Sequence, residues 1–74
     1  MADETIRLEL GFDGGQGMVV HVQSTTADAL ERALAETPEQ AFAIDADDGR
    51  YTVRLNRVVY VKRFARESRV GFGA

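Results

Sequence analysis

Four sets of residues in this 74-residue chain have types and spacings that could do chemistry. Each suggests a different kind. Gly11, Gly14, Gly15 and Gly17 form a glycine cluster of the sort that can bring backbone amides close to a phosphate. Phosphate loops work because the loop opens a helix whose first amides face the anion. Here the residues that follow, Met18, Val20 and Val22, alternate with Val19, His21 and Gln23, which is the period of a strand. The dinucleotide fingerprint and a terminal glycine-lysine-serine/threonine are both absent. The cluster therefore reads as a hairpin turn.

His21 is the one histidine, and an imidazole titrates near neutrality, as a general base requires. Such a base acts only beside a nucleophile or an orienting carboxylate. Ser24 and Ser68 stand in no nucleophile motif, so His21 is expected to be solvated on the outward face of its strand. Asp45, Asp47 and Asp48 could supply oxygens to a hard cation. A calcium loop, however, spaces its ligands regularly and ends in a bidentate acid. Asp47-Asp48-Gly49-Arg50 is the length of a hairpin turn and soon becomes basic. No catalytic residue, metal site or cofactor is expected.

The fourth set is the basic C-terminal third. Residues 1–48 hold eleven acids against Arg7 and Arg32. Residues 49–74 hold Arg50, Arg54, Arg57, Lys62, Arg63, Arg66 and Arg69 against Glu67 alone. The net charge of -3 conceals this asymmetry, which suggests a polar partner or head-to-tail assembly. The plainer alternative is that acidic and basic segments lie side by side in one fold and neutralise each other. Tyr60, Phe64 and Phe72 are interleaved with the cations. Arginines across phosphates with aromatics to stack bases are what a single-strand nucleic-acid surface needs. The same residues could instead meet an acidic protein surface or a second copy of the chain.

The elements that must position these residues can be read from hydrophobic periodicity. In residues 5–12, Ile6, Leu8, Leu10 and Phe12 alternate with Arg7 and Glu9, predicting a half-buried strand. The glycine turn and a second strand through Val22 complete a hairpin. Thr25 and Asp28 form a box-like N-cap, and Ala27, Leu30, Ala33 and Leu34 recur at helical spacing until Thr37-Pro38 closes the helix. A helix of about eleven residues does not persist alone, so it must lie on the sheet through Leu30 and Leu34. Phe42, Ile44 and Ala46 predict a third strand, and Tyr51, Val53 and Leu55 the inward row of a fourth. After a turn at Asn56-Arg57, Val58 to Phe64 predicts a fifth. Its facing is ambiguous: either Val59 and Val61 face the core, or Val58, Tyr60 and Phe64 do. A strand apolar on both faces is central or lies at an interface.

The fold class expected is α+β: a single small domain, ββαβββ, with one helix packed on one face of an antiparallel five-stranded sheet. The domain spans residues 5–64, preceded by a frayed start at 1–4 and followed by a tail at 65–74. Phe72 in that tail either docks on a partner or caps its own core. The chain has no cysteine, which removes disulfides and thiolate metal sites as stabilisers of so small a core. Association with another copy or another protein is the remaining aid. No apolar run is long enough to cross a membrane, and the acidic start is unlike a signal peptide, so a cytoplasmic location is expected. Eight arginines to one lysine suggest GC-rich, bacterial coding.

The function expected is a non-enzymatic interaction module that self-associates or binds a protein partner. The expected partner-binding residues are Arg54, Arg57, Val58, Tyr60, Lys62, Arg63, Arg66, Arg69 and Phe72. The alternative is a small nucleic-acid-binding protein that uses the arginines and Lys62 of the same set.

Overall fold

The computed structural model of the chain describes residues 4–65. Strand β1 (Thr5–Phe12) and strand β2 (Gly17–Gln23) flank a one-turn 3-10 segment at Asp13–Gly15. Gly14 and Gly15 both sit at φ +87°, where a side chain would be strained, so the glycine cluster serves the turn. Helix α1 (Ser24–Glu36) follows directly, then the hairpin of β3 (Ala41–Ala46) and β4 (Gly49–Arg54). A second 3-10 turn, Leu55–Arg57, leads into β5 (Val58–Arg63).

The element order and the α+β class agree with expectation, but the single five-stranded sheet does not. The strands form two antiparallel sheets, β2-β1-β5 and β3-β4. The division follows from β1. Its even-numbered residues bond to β2, as the Ser24 amide bonding to the Glu4 carbonyl shows, and its odd-numbered residues bond to β5, as the Phe64 amide bonding to Arg7 shows. β5 therefore takes the edge beside β1 and leaves the β3-β4 hairpin to pair within itself. A backbone bond from Asp47 to the His21 carbonyl, 3.0 Å, ties the hairpin end to β2 without extending a ladder.

Helix α1 begins at Ser24 rather than after a Thr25 cap. Gln23 occupies the N-cap position and makes no side-chain cap bond. At the other end the Thr37 amide and hydroxyl both donate to the Ala33 carbonyl, which stops the helix before Pro38.

The core gathers Leu8 and Leu10 of β1, Val20 and Val22 of β2, Ala27 and Leu30 of α1, Ile44, Val53 and Leu55. Each of these larger side chains contributes roughly 1.5–3 kcal/mol on leaving water. Because α1 and the hairpin cover one face of β2-β1-β5, the outward rows of that sheet lie open.

The facing of β5 matches neither expectation. Leu10 pairs with Val61 and Gly11 with Tyr60, but Phe12 pairs with Val58. Val59 is thus an extra residue, a bulge that changes the phase of the strand. Val58 and Val61 turn toward the core, while Val59 is 63% exposed. Among the described residues, no helix is long and apolar enough to cross a membrane.

Candidate interaction surface

Residues opposite each other in an antiparallel ladder share a face, so the open face of β2-β1-β5 can be laid out rung by rung. The first rung runs Phe64, Arg7, His21; the second Lys62, Glu9, Val19; the third Tyr60, Gly11, Gly17. The Arg7 guanidinium lies 4.2 Å from the centre of the Phe64 ring and the Lys62 ammonium 4.6 Å from it, within cation–π range. A shallow depression of about 570 Å³ occupies this end of the face, walled by Arg7, Val19, His21, Phe64 and Ala65.

Tyr60 lies flat across Gly11. A Cβ added at Gly11 would fall 2.0 Å from Tyr60 Cε2, so this glycine exists to accept the ring. The phenol donates to Glu9 Oε2 at 2.6 Å, which pins the ring to the sheet with one π-face outward. Tyr60 is 48% exposed in that pose, as is Val19.

The bond to Glu9, then burial and the carboxylate's charge, raise the Tyr60 phenol above its ordinary value of 10.0. A bond to Asp48 at 2.7 Å does the same for Tyr51. A raised folded value means that the contribution is fully present below the unfolded value and is lost as pH climbs through the folded one. The phenolate absorbance steps of both tyrosines should therefore be centred above the ordinary value of 10.0. Glu9→Gln should return the Tyr60 step toward 10 and leave that of Tyr51 in place. Two overlapping steps at 10 in the native chain would refute the pinned geometry.

The expected partner-binding residues do not form one patch. Tyr60 and Lys62 stand on the open face. Val58 packs against the core. Arg63 lies on the core-facing row and crosses to α1, bonding Asp28 at 2.5 Å and Glu31 at 3.0 Å. Those two bonds, Asp28 first, also raise its pKa. Arg57 pairs with Asp13 at 2.9 Å, and Arg50, from the same basic third, with Asp45 at 2.8 Å. Arg54 is exposed on β4, away from the open face, beside a second depression it shares with Arg57, Gln16 and Phe12. Arg66, Arg69 and Phe72 lie outside the described residues.

Much of the charge asymmetry is thus met inside the molecule, with acids of the first half paired to arginines of the second. Arg7, Val19 and His21 belong to the open face but were not among the expected partner-binding residues. Their outward alternation was visible, but the rung that aligns Arg7 with Phe64 is a pairing between residues 57 positions apart.

His21 Nδ1 is 3.9 Å from Asp47 Oδ2, both side chains half-exposed or more. Among the described residues, no group of three or more acidic or histidine side chains is arranged to hold a metal ion. Comparison with protein-family models, curated proteins and solved structures finds no match to this chain.

Proposed function

We propose that the chain is a non-enzymatic interaction module that self-associates through the open face of β2-β1-β5 and the exposed part of β5. The observation that carries this reading is the uncovered sheet face on which Val19 and Tyr60 are both 48% exposed, with Val59 63% exposed at its margin. The face carries both signs, Arg7 and Lys62 against Glu9, so a two-fold contact between copies can pair them. Tyr60 and Val19 supply apolar contact while the charges set register.

Contact by the face is favoured over strand-to-strand addition at the β5 edge. That edge is guarded by a bulge at Val59, by Lys62 and by Arg63 on its core-facing row. These are the devices by which sheet edges resist pairing. Strand spacing and rise give the nine-residue face a footprint of roughly 300 Å². A standard interface buries about 800 Å² per partner, so the association is weak and concentration-dependent.

Static light scattering should give a mass near 8.1 kDa at low micromolar concentration, rising as the protein is concentrated. A constant 8.1 kDa up to millimolar concentration would remove self-association and leave a different protein as the partner.

The nucleic-acid reading loses much of its charge to internal pairs, since Arg57 and Arg63 are engaged by Asp13, Asp28 and Glu31. Phosphate contacts make affinity fall steeply with salt. A fluorescent single-stranded oligonucleotide should show no binding even at low salt. Binding that weakens along a steep salt slope would replace the self-association reading with this one.

A further inference from the structure

We propose that the free edge of β4 takes up an extended acidic segment of another protein as an added strand, at a site separate from the open face of β2-β1-β5. The Leu55 amide donates to the Gln40 carbonyl at 3.1 Å, one step beyond the pairing of Ala41 with Arg54. Bonded and non-bonded pairs alternate along an antiparallel ladder. Gly49, Tyr51 and Val53 therefore bond to β3, while the amides and carbonyls of Arg50, Thr52 and Arg54 point away from it. No backbone bond among the described residues meets them on that side. Unlike β5, β4 keeps an unbroken register with its neighbour, with no bulge to twist the edge away. Such an edge is a template for a further strand.

The edge borders the second depression, about 520 Å³, which β4 lines through Thr52, Val53 and Arg54 and the first hairpin through Phe12 and its turn. Charge selects the occupant. Arg50 is paired with Asp45 and Arg57 with Asp13. Arg54 is exposed and makes no ion pair among the described residues, and it stands at the end of β4 remote from the Asp47-Asp48 turn. A second copy suits the edge poorly. Two β4 strands paired antiparallel about Thr52 would set Arg50 opposite Arg54, and like charges directly opposite destabilise a sheet. A segment in which acidic residues alternate with apolar ones suits it well. Side chains alternate between the faces of a strand, so a carboxylate can meet Arg54 while the apolar row turns to Phe12 and Val53. In strand addition of this kind the main chain gives affinity and the alternate side chains give specificity.

A short synthetic peptide of alternating aspartate and valine tests this, titrated into isotope-labelled chain at a concentration where its mass is 8.1 kDa. The amide signals of Thr52 and Arg54 should shift and their hydrogen exchange should slow. Those of Tyr51 and Val53, already bonded to β3, should change less, and those of the open face should hold still. Arg54→Glu, at an exposed position, should weaken binding about tenfold or more through loss of a charge-assisted bond. The peptide N-methylated on the residues that face the edge should not bind, because its amides are then blocked. Unmoved Thr52 and Arg54 signals at millimolar peptide would overturn the proposal, as would equal binding when lysine replaces aspartate in the peptide. Shifts at those two amides on concentrating the chain alone would make a second copy the occupant and overturn it too. Binding is read on the monomer, so its failure leaves self-association through the open face standing, and the reverse.

Discussion

Replacing Leu10 with alanine should remove about 3 kcal/mol of stability, within the usual 2–5 kcal/mol for truncating a buried leucine. Leu10 is wholly buried at the centre of β1, the strand that pairs with β2 on one side and β5 on the other. Its neighbours across the ladders are Met18 and Val61. They are held by two backbone ladders and cannot collapse far into the space it vacates. At roughly 0.05–0.15 kcal/mol per residue, a domain of this length has about 4–11 kcal/mol in total. The loss is therefore a large share, and the urea midpoint should fall sharply with an unchanged slope. Val19→Ala, on the open face of the neighbouring strand, should shift stability by about 0.5 kcal/mol or less. Equal losses at the two positions would mean that the open face is covered as the core is.

The second large effect concerns association. Tyr60→Glu places a carboxylate beside Glu9, removes the ring from Gly11 and leaves a charge where apolar contact is expected. Burying an unpaired charge at a contact costs several kcal/mol, and each 1.4 kcal/mol is tenfold in affinity. Self-association should weaken at least a hundredfold, leaving a mass of 8.1 kDa at every accessible concentration. Arg54→Glu also introduces a carboxylate, on β4 away from the face, with a larger change of charge, and should leave the concentration dependence as it was. An Arg54→Glu effect as large as that of Tyr60→Glu would put the contact on the β3-β4 side of the molecule.

These contrasts turn on which row of each strand faces outward, and the sequence shows that unevenly. The β1-β2 hairpin is legible because both strands keep strict alternation around a turn whose glycines must sit at positive φ. The inward row of β4, Tyr51 and Val53, is legible for the same reason, whereas Leu55, expected on that row, opens the 3-10 turn and is buried there. β5 is not, because the bulge at Val59 breaks the period within a run of four apolar residues. No count of alternation can locate an extra residue there. The separation into two sheets depends on β1 pairing with β5 across some fifty residues, a choice made by which edge of β1 is available. The helix start was misplaced by two residues, since Thr25 resembles a cap while the cap position is Gln23 and the chain is already helical at Ser24.

The candidate surface was legible in part. Tyr60 and Lys62 were singled out on the fifth strand, but Arg63 lies on the opposite face because side chains alternate along the strand, and it binds α1. Its two bonds to Asp28 and Glu31 hold the helix against β5, which is a structural use of a residue that looked available. The division of acidic and basic residues along the chain is real, and pairs such as Arg57 with Asp13 show how a fold can bring the two halves together.

The most direct measurement is the set of backbone amide shifts followed as the concentration is raised. If copies meet on the uncovered side of β2-β1-β5, the moving signals are those of Arg7, Glu9, Val19, His21, Tyr60 and Lys62, while those of α1 hold still. Movement centred on α1 or on the β3-β4 hairpin, with that face unchanged, would contradict the account.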